Sequence, residues 1–159
     1  MTTHTTQMSR HLNAARAAVY RVLIDAEAVA AWRVPNDMSS HIHEFQPHVG
    51  GKFRVSLTYY EPTNTGKTNT HTDTYYGHFV DLVPNERVVQ VMAFETDNPL
   101  MQGEMTLSFV LQDVEGGTEI RVTHEDVPSG IAPADNEMGW RMALDNLTAY
   151  LETEKLSNV

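Results

Sequence analysis

The chain has 159 residues, enough for one domain that buries roughly 70% of its unfolded surface. Its 21 acids face only 11 bases, three of them lysines, so the formal charge is −10 and no basic run exists to track nucleic-acid phosphates or an anionic membrane. Cysteine is absent, which excludes disulfides, thiolate nucleophiles and thiolate metal sites.

The opening "MTTHTTQMSRHLNA" has neither a basic start nor an apolar centre, so no signal peptide is read there. No stretch approaches the ~20 apolar residues that cross a bilayer, and the expected location is the cytoplasm. The Thr-rich first twelve residues are β-prone and form an opening strand. From Ala14 the chain turns helical, with Val19, Val22 and Leu23 at helical spacing and Asn13 as the expected cap. Asp25 marks a break, a second short helix runs to Trp32, and Pro35 ends it.

From Ser39 to Glu125 the signals are those of strands. "HIHEF" alternates, and "GKFRVSLTYY" alternates better, with Phe53, Val55, Leu57 and Tyr59 on one face. "EPTNTGKTN" reads as a polar loop. "TDTYYGHFVDLV", "RVVQVMAFE", "EMTLSFVLQDV" and "TEIRVTHEDV" follow, separated by Pro84-Asn85, Asn98-Pro99 and Gly116-Gly117. The strand from Glu104 is clearest: Met105, Leu107, Phe109 and Leu111 face inward. In "RVVQVMAFE" either face suits the interior. Gly50-Gly51 suits a turn or bulge at a strand start. Short connections imply an antiparallel meander. A last helix, about Pro133 to Glu154, carries Trp140, Leu144, Leu147 and Leu151 on one stripe, with Pro133 at its entry and Asp135 in its first turn.

The expected fold is therefore α+β: a strongly curved antiparallel sheet of about seven strands wrapped on a long C-terminal helix, with two short helices after the first strand. One domain spans 1–159. Such a sheet and its covering helix leave a cleft between them.

"NAARAAVYRVLIDAEAVAAW", "VGGKFRV", "YYGHFVDLVPNERVV", "GGTEIRVTHEDVP" and "GWRMALDNLTAYLE", in this order, resemble the bacterial homologues of the heat-shock protein 90 ATPase activator. That group belongs to the START-like, helix-grip superfamily, which also holds polyketide cyclases and lipid-transfer domains. The resemblance covers about residues 8–152. It implies a helix-grip fold with a cavity under the last helix, and no single reaction. The family usually opens its first helix with proline, where this chain has Ala15. The eponymous eukaryotic co-chaperone carries a further domain for which this chain has no room, so no chaperone partner is expected.

Candidate chemistry is sparse. His41 and His43, with His71 and Asp73, form two pairs suited to Zn²⁺ if their strands are adjacent, but spacing alone is weak, and neither a metal nor a cofactor is expected. Asp73, Tyr75, Glu95 and Glu137 are candidates for acid or base work in the cleft. Met92, Phe94, Met105, Met142 and the two tryptophans suit an adaptable apolar pocket. His124 ends the apolar face of its strand after Ile120 and Val122. It is either a satisfied core histidine at the cleft rim or the polar handle of a pocket.

Three readings follow. The first is a protein that binds a small apolar or aromatic molecule, alone or as a homodimer, through Trp32, His43, Phe53, Val55, Leu57, Tyr75, Met105, Leu107, His124, Trp140 and Leu144. In that reading few polar groups converge on the cavity. The second is a cyclase- or hydratase-like enzyme, in which His124 meets Asp73 or Glu137. The third is a co-chaperone-type interaction module with an exposed apolar patch and no cavity.

Overall fold

The computed structural model describes residues 2–60 and 71–157. The polar loop expected at "EPTNTGKTN" lies outside them. In chain order the elements are β1 (His4–Leu12), α1 (Arg16–Leu23), α2 (Ala26–Trp32), β2 (Met38–Phe45), β3 (Lys52–Tyr59), β4 (Thr72–Val83), β5 (Arg87–Phe94), β6 (Met105–Val114), β7 (Gly117–Val127) and α3 (Pro133–Ser157). The seven strands form one curved antiparallel sheet in the order β1-β7-β6-β5-β4-β3-β2. The meander from β2 to β7 is sequential, and β1 then pairs with β7 at the far edge. The expected α+β fold is the observed one.

Alternation decides what is buried. On β6, Met105, Leu107, Phe109 and Leu111 are buried, and on β7 Ile120, Val122 and His124 are. On β5 the inward set is Val88, Gln90 and Met92, which pair with Phe109, Leu107 and Met105 of β6. The face that the sequence left open is thereby assigned. Alternation slips near the end of β7, where Glu125 and Asp126 are both exposed and Val127 is buried. Asp126 has φ 59°, a left-handed turn that a short polar side chain tolerates.

The first helix starts later than the sequence suggests. Asn13 is not its cap: the chain stays extended through Ala15, whose φ is −69° and ψ 153°, and no side chain caps the helix. The Ala14 carbonyl instead accepts a 2.7 Å hydrogen bond from Thr118 Oγ1, which holds this turn against β7. Asp25 behaves as expected and accepts from the Ala28 amide at 3.3 Å, capping α2. Gly50 turns the chain into β3 with φ 83°, and a Cβ on Gly51 would meet the Gln46 carbonyl oxygen at 1.9 Å. Both glycines are needed for that approach.

The last helix lies over the inner face of the sheet. Its stripe of Trp140, Leu144, Leu147 and Leu151 is buried, each leucine contributing about 1.5–3 kcal/mol by its removal from water. Beneath it, Trp32 meets Phe109 edge-on at 6.0 Å, and Phe109 meets Trp140 at 5.8 Å. Polar ties fix its azimuth: Asn136 donates to Thr6 Oγ1 of β1 at 2.9 Å, and Asn146 donates to the Val34 carbonyl at 2.8 Å. Arg10 of β1 pairs with Asp145 at 2.8 Å.

Candidate functional site

The sheet and α3 do not meet along their whole length. Under the first half of the helix a cavity of about 550 Å³ remains, within the range typical of small-molecule sites. Its floor is the inner face of three strands: Leu57 and Tyr59 of β3, Asp73 and Tyr75 of β4, Met92 and Phe94 of β5. Its roof is Asn136, Gly139, Trp140 and Ala143, one face of α3. The α2–β2 connection supplies Arg33 to Asp37, and two loops close the far side with Met101, Gly130 and Ile131. Those loops are tied together, since the Gly130 amide donates to the Leu100 carbonyl at 2.7 Å.

Arg33 is the group that sequence reasoning missed. It follows α2 directly, where Val34-Pro35 forces the chain out of helix. Its guanidinium donates to Gln90 Oε1 at 2.9 Å and to Met92 Sδ at 3.3 Å. It lies 5.0 Å from the centre of the Tyr75 ring and 5.7 Å from that of Trp140, so aromatic faces carry part of its charge. No carboxylate pairs with it among the described residues. Burial pulls its pKa below the ordinary arginine value, with the Tyr75 phenol opposing, but a guanidinium stays charged. A signal for it exists in the sequence: Arg33 falls four residues after buried Val29, on the inward side of α2.

His124 resolves into a definite protonation state. Trp140 Nε1 can only donate, and it donates to His124 Nδ1 at 3.1 Å; Asn136 Nδ2 adds a second contact there at 3.2 Å. Nδ1 is therefore the acceptor and Nε2 carries the proton. Burial, then the charge of Arg33, then that of His4, pull the imidazole pKa down to about 3, so the ring is neutral at physiological pH. Nε2 is buried and has no hydrogen-bond partner, and the same holds for Tyr75 Oη. Burial also raises the Tyr75 pKa, so its phenol stays protonated. Two residues of the cavity wall thus each hold a buried O–H or N–H group without a partner, beside the half-buried Arg33.

Four of the expected ligand-contacting residues line this cavity: Leu57, Tyr75, His124 and Trp140. Met92, Phe94 and Met142 line it as well, and so does Asp73. Phe53, Val55, Met105, Leu107 and Leu144 do not; they are buried in the core beside it, Phe53 packed on Phe79 at 5.5 Å and Met105 and Leu107 next to Met92 and His124 in the sheet. Trp32 is core too, its indole donating to the Val22 carbonyl at 3.0 Å. His43 is on the opposite face, exposed, with Nε2 at 2.8 Å from Ser56 Oγ. Glu137 is exposed, one helical step away from the face that carries Asn136 and Trp140. Where a carboxylate partner for His124 was expected, the structure has the Asn136 amide. Glu95 points away from the cavity and forms a two-pronged pair with Arg54, one contact being 3.0 Å.

The two pairs considered for metal do not converge. β3 lies between β2 and β4 in the sheet, and His41 is exposed on the outer face whereas Asp73 is buried on the inner one. Among the described residues, no group of three or more His, Asp or Glu stands close enough to hold an ion. No helix among them is long and apolar enough to cross a membrane.

A seven-stranded antiparallel sheet gripping one long helix, with a cavity between them, defines the helix-grip, START-like class. Within it the chain belongs to the family described as Activator of Hsp90 ATPase homolog 1-like protein, whose model matches residues 13–152. A crystal structure of a protein from Chromobacterium violaceum is similar at 26% identity with a TM-score of 0.84, covering 93% of this chain and 96% of that one. A protein from Rhodobacter sphaeroides shares the fold at 20% identity and TM-score 0.76, covering 94% of this chain and 92% of its own. So does the AHSA1-like protein from Aeromonas hydrophila, at 20% identity and TM-score 0.70, covering 96% and 95%. No curated protein matches the sequence significantly.

Proposed function

We propose that this protein binds a small molecule with an apolar or aromatic body in the cavity between β3–β5 and the first half of α3, in the cytoplasm. The observation that carries this reading is that two residues lining one cavity, Tyr75 and His124, each hold a buried polar atom, Oη and Nε2, without a partner. A buried donor without a partner costs about 1–3 kcal/mol, which a bound acceptor recovers. Leu57, Met92, Phe94 and Trp140 supply the apolar surface, and the methionines adapt to more than one shape.

The cyclase- or hydratase-like alternative needs a base at His124. Its Nδ1 lone pair is engaged by Trp140, and its Nε2 already carries the proton, so the ring serves as a hydrogen-bond donor instead. Mass spectrometry of compounds released from protein purified without denaturant tests the reading. One small organic species at near-stoichiometric amount is expected. A protein that releases none, and that no small aromatic or alkyl compound stabilises in thermal melts, would overturn it.

A further inference from the structure

Among the described residues the cavity is lined by one cation, the half-buried Arg33, and its surroundings say what it is for. Arg33 is kept in place by acceptors that offset none of its charge: an amide oxygen, a thioether and two aromatic faces. Holding a half-buried arginine this way carries a desolvation cost that a bound anion would offset, because charges drawn out of water are normally paired. Its five N–H groups form a planar fork, and the two contacts to Gln90 and Met92 leave donors over. His124 and Tyr75 line the same wall, their Nε2–H and O–H groups buried and unmet, and Tyr75 lies directly beneath the guanidinium.

We infer that the ligand is an organic acid, its carboxylate held by the Arg33 fork with Tyr75 and His124 as supporting donors and its apolar or aromatic body over Leu57, Met92 and Phe94. This assignment rests on the ligand-binding reading above. A carboxylate fits better than a phosphate monoester, because among the described residues Arg33 is the only Lys or Arg lining the cavity and it offsets one charge, not two. The acids that also line it restrict where the negative end can lie. Asp37 and Asp135 are exposed at the rim, and Asp73 is two residues before Tyr75 on the same face of β4, so carboxylate is tolerated only at the Arg33 end.

The test uses 2-naphthoate and its neutral counterpart 2-naphthamide, titrated near pH 7.5 against the wild-type protein, Arg33→Met and Arg33→Lys. The wild type is expected to bind naphthoate at least about tenfold more tightly than naphthamide. In Arg33→Met that preference should vanish while naphthamide binding stays. In Arg33→Lys, which keeps the charge and loses the fork, it should shrink severalfold, and this variant carries the test if Arg33→Met does not fold. Equal binding of both probes by the wild type overturns the acid assignment and leaves the cavity reading standing. An undiminished preference in Arg33→Met or Arg33→Lys overturns the role of Arg33. Binding of neither probe overturns the cavity reading and this one with it.

Discussion

Trp140 Nε1 lies 3.1 Å from His124 Nδ1, and because an indole nitrogen cannot accept, this one contact fixes the tautomer of a buried histidine. The ring is thereby a donor through Nε2, neutral, at the cavity wall. Nitrogen chemical shifts of the imidazole should report the Nε2–H tautomer throughout the neutral range. A protonated ring or the other tautomer at pH 7 would contradict the assignment.

The depressed pKa of His124 makes stability depend on pH with a definite sign. Unfolded, the ring takes up a proton near 6.5; folded, only near 3. Its contribution is present above pH 6.5 and is lost progressively as pH falls towards 3, reaching about 4–5 kcal/mol in full. His124→Gln should therefore flatten the wild-type decline in denaturation free energy across that window. Parallel curves for the two proteins would refute this.

Leu144 is fully buried and outside the cavity wall. Leu144→Ala is expected to lower stability by about 2–5 kcal/mol while the folded protein keeps its affinity for cavity probes. Urea denaturation and probe titration on the same sample separate the two effects.

Asp126 sits at φ 59° in the bulge that ends β7. Asp126→Val forces a β-branched residue into the left-handed region and should cost about 1–2 kcal/mol, whereas Asp126→Gly should be close to neutral. Thermal melts of both variants check the ordering.

The fold was legible because its signals are periodic. Alternation along β3, β6 and β7 and the 3.6-residue stripe of α3 each report burial directly, so the strands, the helix and their inward faces follow from spacing. The candidate site was legible only where a polar residue interrupted such a pattern. His124 stood out for that reason, Tyr75 as a candidate for acid or base work, and Trp140 because it belongs to the apolar stripe of α3. Phe53 and Leu107 share the inward face but are covered by core neighbours and do not line the cavity, a distinction that no strand pattern encodes. His43 lies on the outer face beside Ser56 because Ile42, its neighbour in the strand, packs inward opposite Val55, so alternation alone turns His43 away from the cavity. Arg33 was overlooked because a cation after a tryptophan reads as a solvated helix end; its spacing from Val29 was the available clue. Asn136 took the role expected of Glu137 through one step of helical phase.

The central claim, that the space under α3 is a ligand site, is tested most directly by filling it. Gly139 lines the cavity from the helix, and a Cβ added there meets nothing within 4 Å. Gly139→Leu projects a side chain into the empty volume and replaces the poorest helix former but proline with one of the best, a gain of up to about 1 kcal/mol. Ligand-observed NMR with 2-naphthoate and 2-naphthamide, together with a thermal melt, should show binding to the wild type, loss of binding to Gly139→Leu, and a melting temperature equal to or above the wild type. Undiminished binding by a well-folded Gly139→Leu would contradict the account.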